Sequence, residues 1–240
     1  MKPVYYVIAL AVIAATLLLV AGPGARMDLW DFRGGFKLMR WAAFLGLGAA
    51  ALATVMLMVP RTRRSAPVAL VVALVVGLGV AYVPWSGMRA ARALPPIHDI
   101  TTDTRRPPEF VAVLPLRADA PNPAVYGGAD IAKAQLEGYP DLRSRHLDVA
   151  PAEAFQRAET AARAMGWEIV AADAASNRIE ATATTMWFGF KDDVVIRIEP
   201  DQADDGRGSR IDVRSVSRVG GSDVGANAAR IRAFLRKLGD

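Results

Sequence analysis

Three long apolar runs open the chain, and a mixed, alternating pattern follows them. Residues 4–22 carry no charge, residues 38–59 carry only Arg40, and residues 67–83 are again uncharged. A helix that buries one face in a soluble core keeps a polar stripe, whereas these runs are apolar all round. Runs near ~20 residues suffice to cross a hydrocarbon core, so the pattern predicts three transmembrane helices. The first run has only Lys2 as a basic region and an apolar core as long as a span. It is therefore expected to stay as a membrane helix rather than act as a cleaved leader.

From residue 148 the period changes. A helix is predicted from Asp148 or Val149, with Pro151 in its first turn and Phe155, Ala158, Ala162 and Met165 at helical spacing; Gly166 ends it. Residues 167–173 read as a strand. Residues 178–185 alternate, with Ile179, Ala181 and Ala183 on one side and Glu180, Thr182 and Thr184 on the other. Residues 191–199 place Val194, Ile196 and Ile198 inward, and residues 210–217 place Ile211 and Val213 inward, across a polar, acidic turn at 200–209. Ser222 reads as the cap of a last helix, with Asp223 in its first turn and a stripe of Val224, Ala228, Ile231, Leu235 and Leu238. The fold class expected is a three-helix transmembrane region followed by an α+β domain. That domain is a four-stranded antiparallel meander with two helices packed on one face. The partition is 1–88 for the membrane region, 89–147 for a proline-rich extended arm and 148–240 for the soluble domain. In the arm, residues 97–103 fit a short edge strand and 131–137 a turn of helix. The arm is expected to lie along the sheet, because Phe110, Val111, Val113 and Leu114 need cover. The charged sheet face (Glu180, Arg197, Glu199, Arg210, Asp212, Arg214) reads as a solvated lattice of cross-strand pairs.

Charge changes the picture in two ways. Residues 1–88 hold eight Lys/Arg and two Asp/Glu, while residues 89–240 hold 21 Lys/Arg against 22 acids, a net charge of −1. The high overall pI thus belongs to the membrane flanks, and the soluble part lacks the net basic face that nucleic acid requires. The linker Arg61-Thr62-Arg63-Arg64 is dense in arginine and free of acids, so the positive-inside rule places it with Lys2 in the cytoplasm. Arg26, Arg33, Lys37 and Arg40 on the opposite side narrow the contrast. With the N-terminus inside, three spans put the C-terminal domain outside the cytoplasm, in the periplasm of a Gram-negative cell. An odd number of spans also puts the loop at 22–39 on the domain's side. Its Trp30, Phe32 and Phe36, with Trp41, Tyr82 and Trp85, read as an aromatic belt at the headgroups, or else as a loop that docks on the domain.

Candidate chemistry is sparse. The absence of cysteine removes disulfides, thiolate catalysis and cysteine-based metal sites. His98 with Asp99 and Asp103 has the residue types for a cation site or a base with its orienter, against the plainer reading of a strand end with local Asp/Thr hydrogen bonds. Gly220-Gly221-Ser222-Asp223-Val224 departs from a nucleophile elbow at its last position. A helix N-terminus at Ser222 preceded by Arg214 and Arg218 has the makings of an anion site, opposed by Asp223. Alternation puts Asp192 and Asp193 on opposite faces. Trp187-Phe188-Gly189-Phe190 reads either as a hairpin whose rings fill the core end or as an aromatic tip that touches lipid or a partner.

The motifs Pro95-Pro96-Ile97-His98-Asp99-Ile100-Thr101-Thr102-Asp103, Tyr139-Pro140-Asp141, Gly166-Trp167-Glu168-Ile169-Val170, Trp187-Phe188-Gly189-Phe190-Lys191-Asp192-Asp193, Arg214-Ser215-Val216-Ser217-Arg218-Val219-Gly220 and Ser222-Asp223-Val224-Gly225-Ala226-Asn227-Ala228 occur in that order. Over about residues 94–238 the chain resembles the bacterial domain-of-unknown-function family 1499. The resemblance implies a membrane-attached envelope protein and carries no catalytic residues over. The reading favoured is a multi-pass inner-membrane protein with a periplasmic, non-enzymatic binding domain and no cofactor. Its expected partners are the lipid bilayer and an envelope protein or lipid, not nucleic acid. Its binding candidates are Trp187, Phe188, Phe190, Arg214, Arg218, Ser222, His98, Asp99 and Asp103. The rival is a membrane-anchored hydrolase or metal-dependent enzyme using His98, Asp99 and Asp103. A transporter-like role lacks an acid or histidine inside a span.

Overall fold

A computed structural model of the protein describes residues 2–202 and 207–239. Its contacts divide the chain into two compact units: residues up to Ala90 together with Met186–Gly189, and Ala91–Thr185 together with the chain from Phe190 onward.

The helical unit contains α1 (Lys2–Arg26), α2 (Phe32–Met58), the short α3 (Pro60–Ser65) and most of α4 (Pro67–Ala93). The three long helices are each long and apolar enough to cross a membrane. They extend beyond the apolar runs at 4–22, 38–59 and 67–83, because Arg26, Arg33, Lys37 and Arg92 continue the helical backbone past the hydrophobic stretch. Small residues form the interior: Ala14, Ala21, Ala42, Ala49 and Ala53 are fully buried, while Leu19, Phe44, Leu52 and Val72 face outward. Helices α2 and α4 approach closely at a pair of glycines. A Cβ added at Gly46 would lie 2.7 Å from the Gly77 carbonyl oxygen, and one added at Gly77 would lie 2.4 Å from that of Gly46. Such contact substitutes for the hydrophobic drive that lipid abolishes. Asp31 caps α2 by accepting from the Gly34 amide at 2.7 Å. Met186–Gly189 packs within this same unit. The Trp187 ring occupies the space a Cβ on Gly22 would need, and Phe188 does the same at Gly35 while resting 5.1 Å from the Phe36 ring. Arg26 donates to the Met186 carbonyl at 2.6 Å.

The second unit is built on one antiparallel sheet of six strands, not four. These are β1 (Asp99–Thr101), β2 (Arg145–Leu147), β3 (Glu168–Asp173), β4 (Arg178–Thr184), β5 (Lys191–Pro200) and β6 (Ser209–Ser217). The order is β1-β6-β5-β4-β3, with β2 also on β6. The four predicted strands are the meander β3–β6. The two extra strands are three residues each, too short to show a period, and both lie on the outer edge of β6: β1 pairs with Arg214–Val216 and β2 with Ser209–Ile211. The Thr102 amide bridges the gap by donating to the Val213 carbonyl at 2.9 Å. Of the acidic turn at 200–209, residues 203–206 lie outside the described residues.

One sheet face packs on α6 (Pro151–Ala164) and α7 (Ala226–Lys237). Phe155, Ala158 and Ala162 from α6 and Ala228, Ile231 and Phe234 from α7 meet Ile179, Ala181, Val194, Ile196, Ile198, Ile211 and Val213. Trp167 stacks on Phe234 with ring centroids 5.3 Å apart. Gly166, with φ +72°, closes α6: the Trp167 amide reaches the Ala162 carbonyl and the Gly166 amide that of Arg163, a Schellman ending. Two expectations fail at α7. Ser222 is not its cap; the helix starts four residues later, after Gly225 in a left-handed conformation. Val224 leaves the apolar stripe, exposed and itself at φ +51°. The reason is Asp223, whose carboxylate accepts from the Gly225 and Asn227 amides at 2.8 Å each and so sets where the helix begins.

The second sheet face is not solvated. The arm crosses it with the 3₁₀ turn Leu114–Arg117; later in the arm, α5 (Ala129–Gly138) packs Ile131 and Ala134 against the core of the other face. Phe110 and Val113 are buried against Val195 and Val216 of the sheet.

The Gly46–Gly77 contact generates a first prediction. Gly46→Leu forces α2 and α4 apart and should lower the stability of the detergent-solubilised chain by about 1–3 kcal/mol, measured by thermal unfolding; Leu52→Ala, on an outward face, should change it little.

Candidate functional site

The densest chemistry in the protein lies between the arm and the sheet. Alternation along β4, β5 and β6 places Glu180, Asp193, Arg197, Asp212 and Arg214 on the face opposite α6 and α7. The arm then covers them. Glu180, Asp193 and Asp212 have no accessible surface, and Arg214 is 1% exposed.

Five acidic side chains here, Asp99, Asp193, Asp212, Glu180 and Asp103, are each met by arginine. Asp99 of β1 takes both arms of the Arg214 guanidinium, at 2.9 and 2.8 Å. That guanidinium also donates to the Pro108 and Ala124 carbonyls and lies between the Phe110 and Tyr126 rings, 5.2 and 5.3 Å from their centroids. Asp193 of β5 receives Arg117 from the arm at 2.8 Å and Arg218 at 2.9 and 2.8 Å, with Thr182 as a further donor. Asp212 of β6 receives Arg197, Arg210 and Ser144. Glu180 of β4 accepts the arm's Val111 and Val113 amides at 2.9–3.1 Å and pairs with Arg178. The Asp103 carboxylate caps the turn that follows β1 by accepting from the Arg105 and Arg106 amides, and receives Arg197 and Arg210 on its other oxygen.

The electrostatics follow the partners. Burial alone would raise the Asp212 pKa, but the hydrogen bonds from Ser144, Arg197 and Arg210 outweigh it and hold the carboxyl below its ordinary value near 3.8. Burial lowers the pKa of Arg117, against the pull of Asp193. Tyr126 is pushed up to about 12 by burial and the nearby Asp99 charge, with Arg214 opposing. Asp223, on the other face, is raised by burial despite its two backbone donors.

The sequence-predicted residues are dispersed over this architecture. His98 contributes its carbonyl, which accepts from the Ser217 amide and from Asn227 Nδ2. Asp99 and Asp103 engage different arginines, so His98, Asp99 and Asp103 do not converge on one open site. Among the described residues no three His, Asp or Glu side chains come together as a metal set. Arg214 and Arg218 face Asp99 and Asp193 rather than Ser222, and Ser222 Oγ accepts only from the Val224 amide. Asp192 points to the helix face, where Arg230 meets it. Trp187 and Phe188 belong to the helical unit. Phe190 holds the base of the hairpin, its backbone exchanging hydrogen bonds with Thr185.

Arg117, Tyr126 and Gln135 were missed by sequence reasoning, whereas Phe110 was expected to need cover and is buried against the sheet. The signal for Phe110 was an apolar residue in a proline-rich stretch that needed cover. Gln135 carried none: its side-chain amide donates to the Thr101 carbonyl at 2.6 Å and accepts the Thr101 amide at 2.9 Å, closing the edge of β1 as another strand would. Beside it, an open groove of about 770 Å³ runs between the arm and α5, lined by Arg105, Pro107, Tyr126, Lys133 and Leu136 among others.

The family described as Protein of unknown function (DUF1499) matches residues 99–238. The chain belongs to the DUF1499 family. The match begins at the first residue of β1, so the arm from residue 99 onward, with its ion pairs, lies within the DUF1499 match. No curated protein matches the chain.

Two outcomes test the DUF1499 lattice. Arg214→Ala leaves Asp99 buried without its partner and should cost about 3–5 kcal/mol, whereas replacing both with apolar residues, Asp99→Leu with Arg214→Met, should recover most of that; thermal unfolding by circular dichroism reads both. Asp212, with its pKa lowered in the folded state, contributes stability that is complete above about pH 3.8 and is lost as pH falls through the folded value. The melting temperature should therefore drop as the pH is lowered below about 4, and less steeply in Asp212→Asn.

Proposed function

We propose that this DUF1499 protein is an integral, multi-pass protein of the inner membrane that presents a non-enzymatic binding domain on the periplasmic side. Its three apolar helices anchor it, and its ligand is an envelope protein or a lipid. The supporting observation is the state of the acids beneath the arm. A general base or nucleophile needs an accessible, unsatisfied group, yet Asp99, Asp193, Glu180 and Asp212 are buried and each is already engaged by an arginine. The apolar tip is the favoured contact with lipid or partner: Met186 is 88% and Trp187 36% exposed. The orientation rests on the arginine linker between α2 and α4.

The rival reading, an enzyme using His98, Asp99 and Asp103, requires Asp99 to leave Arg214. An activity abolished by His98→Ala with folding intact would favour it, while loss of binding in Trp187→Ala with His98→Ala unaffected would favour the binding domain. The orientation is tested by fusing alkaline phosphatase or a fluorescent protein to the C-terminus. Phosphatase activity without fluorescence is the expected result; fluorescence without phosphatase activity would place the domain in the cytoplasm and overturn the reading.

A further inference from the structure

We propose that the α3 linker is a binding surface for anionic phospholipid headgroups, an inference that rests on the membrane reading above. Arg61, Arg63 and Arg64 are all exposed on this six-residue helix. No acidic residue occurs between Asp31 and Asp99. The acids of the helical unit, Asp28 and Asp31, stand at the far end of α2, whose 27 residues span about 40 Å. The three guanidiniums therefore have no carboxylate of their own unit within reach, and their counter-charge comes from outside it.

The local geometry presents them outward. The one Thr62 hydroxyl proton is shared between the Met56 and Val59 carbonyls, tying α3 to the end of α2, where the Met56 carbonyl has no partner within its own helix. At 100° per residue, Arg61 and Arg63 flank Thr62 on either side and Arg64 lies nearly opposite it. The side facing α2 is thus the threonine with Ser65 beside it, and the three arginines occupy the outer side. The depth is set by the flanks: Met58 is 77%, Val59 44% and Val68 75% exposed, so apolar surface reaches the linker from both sides and ends there. Guanidiniums at that level meet the phosphate layer. The two adjoining helix ends carry opposite partial charges and largely cancel, which leaves the arginines to decide the sign. A basic side chain close to an anionic membrane surface strengthens association about fivefold. Zwitterionic lipid, with no net charge, offers much less.

The test uses the full chain reconstituted in vesicles of equal phosphatidylglycerol and phosphatidylcholine, re-extracted, with retained lipids counted by native mass spectrometry. The wild type should retain phosphatidylglycerol in preference by at least about fivefold, the effect of one basic side chain. The triple variant Arg61→Gln, Arg63→Gln, Arg64→Gln should lose most of that preference, keeping only what the basic residues at the opposite helix ends supply. The matching triple lysine variant, which keeps charge, should retain most of the preference. Parity in the wild type, or an undiminished preference in the glutamine variant, would overturn the proposal. So would inorganic phosphate displacing the retained lipid. Failure of the chain to float with the vesicles would instead overturn the membrane reading, and this inference with it.

Discussion

The sheet unit depends on the pairing of Arg214 with Asp99. One guanidinium joins the central strand β6 to the first strand β1 and hydrogen-bonds two carbonyls of the arm, while two aromatic rings hold it in plane. A buried ion pair is a poor source of net stability, since removing both charges from water offsets most of what their attraction returns. What it supplies here is register. Arg214, Arg117 and Arg218 each have a particular carboxylate to meet, and an arm displaced by one residue would strand charges in a dry layer. Proline-rich chain with little periodicity of its own is thereby held along one path across the sheet.

Polarity on the opposite face follows the same logic on a smaller scale. Asn227 accepts from Ser215 and donates to Ser217 Oγ and to the His98 carbonyl, while Arg230 joins Asp192. Below these groups the core is aliphatic and aromatic. The end of the domain near the start of α7 is therefore specified by hydrogen bonding and the rest by packing, a division that locates α7 along its own axis as well as against the sheet.

What could be read in advance follows from element length. Strands β3–β6 run six to ten residues, long enough for a period of two to appear, and α6 and α7 long enough for a period of 3.6. β1 and β2 are three residues each, below the length at which alternation differs from chance; β1 was recognisable only as an edge fragment and β2 not at all. The faces of Glu180, Asp212 and Arg214 were also legible, because alternation determines the side. Their burial was not, because it depends on whether a segment more than 60 residues away in sequence comes to cover them. That Phe110 wanted cover and that a charged face was available pointed in the same direction. The identity of the fastening, Arg117 on Asp193 and two backbone amides on Glu180, arises only once the chain is folded. At α7 the error was of a different kind: two adjacent residues, Ser222 and Asp223, both had capping side chains, and burial chose the carboxylate.

The tandem strands on β6 carry a consequence for colony-like self-association of the domain. A sheet edge is a template for another chain's backbone, and proteins that leave one bare risk cross-β growth. Here β1, Thr102 and β2 tile one edge in sequence, and the Gln135 amide seals Thr101 beyond it. The opposite edge, β3, begins and ends in exposed acids, Glu168 and Asp173, and its register shifts between Ile169 and Ala171. The sheet is thus guarded at one rim by covering strands and at the other by charge and irregularity, which disfavours edge-to-edge polymerisation.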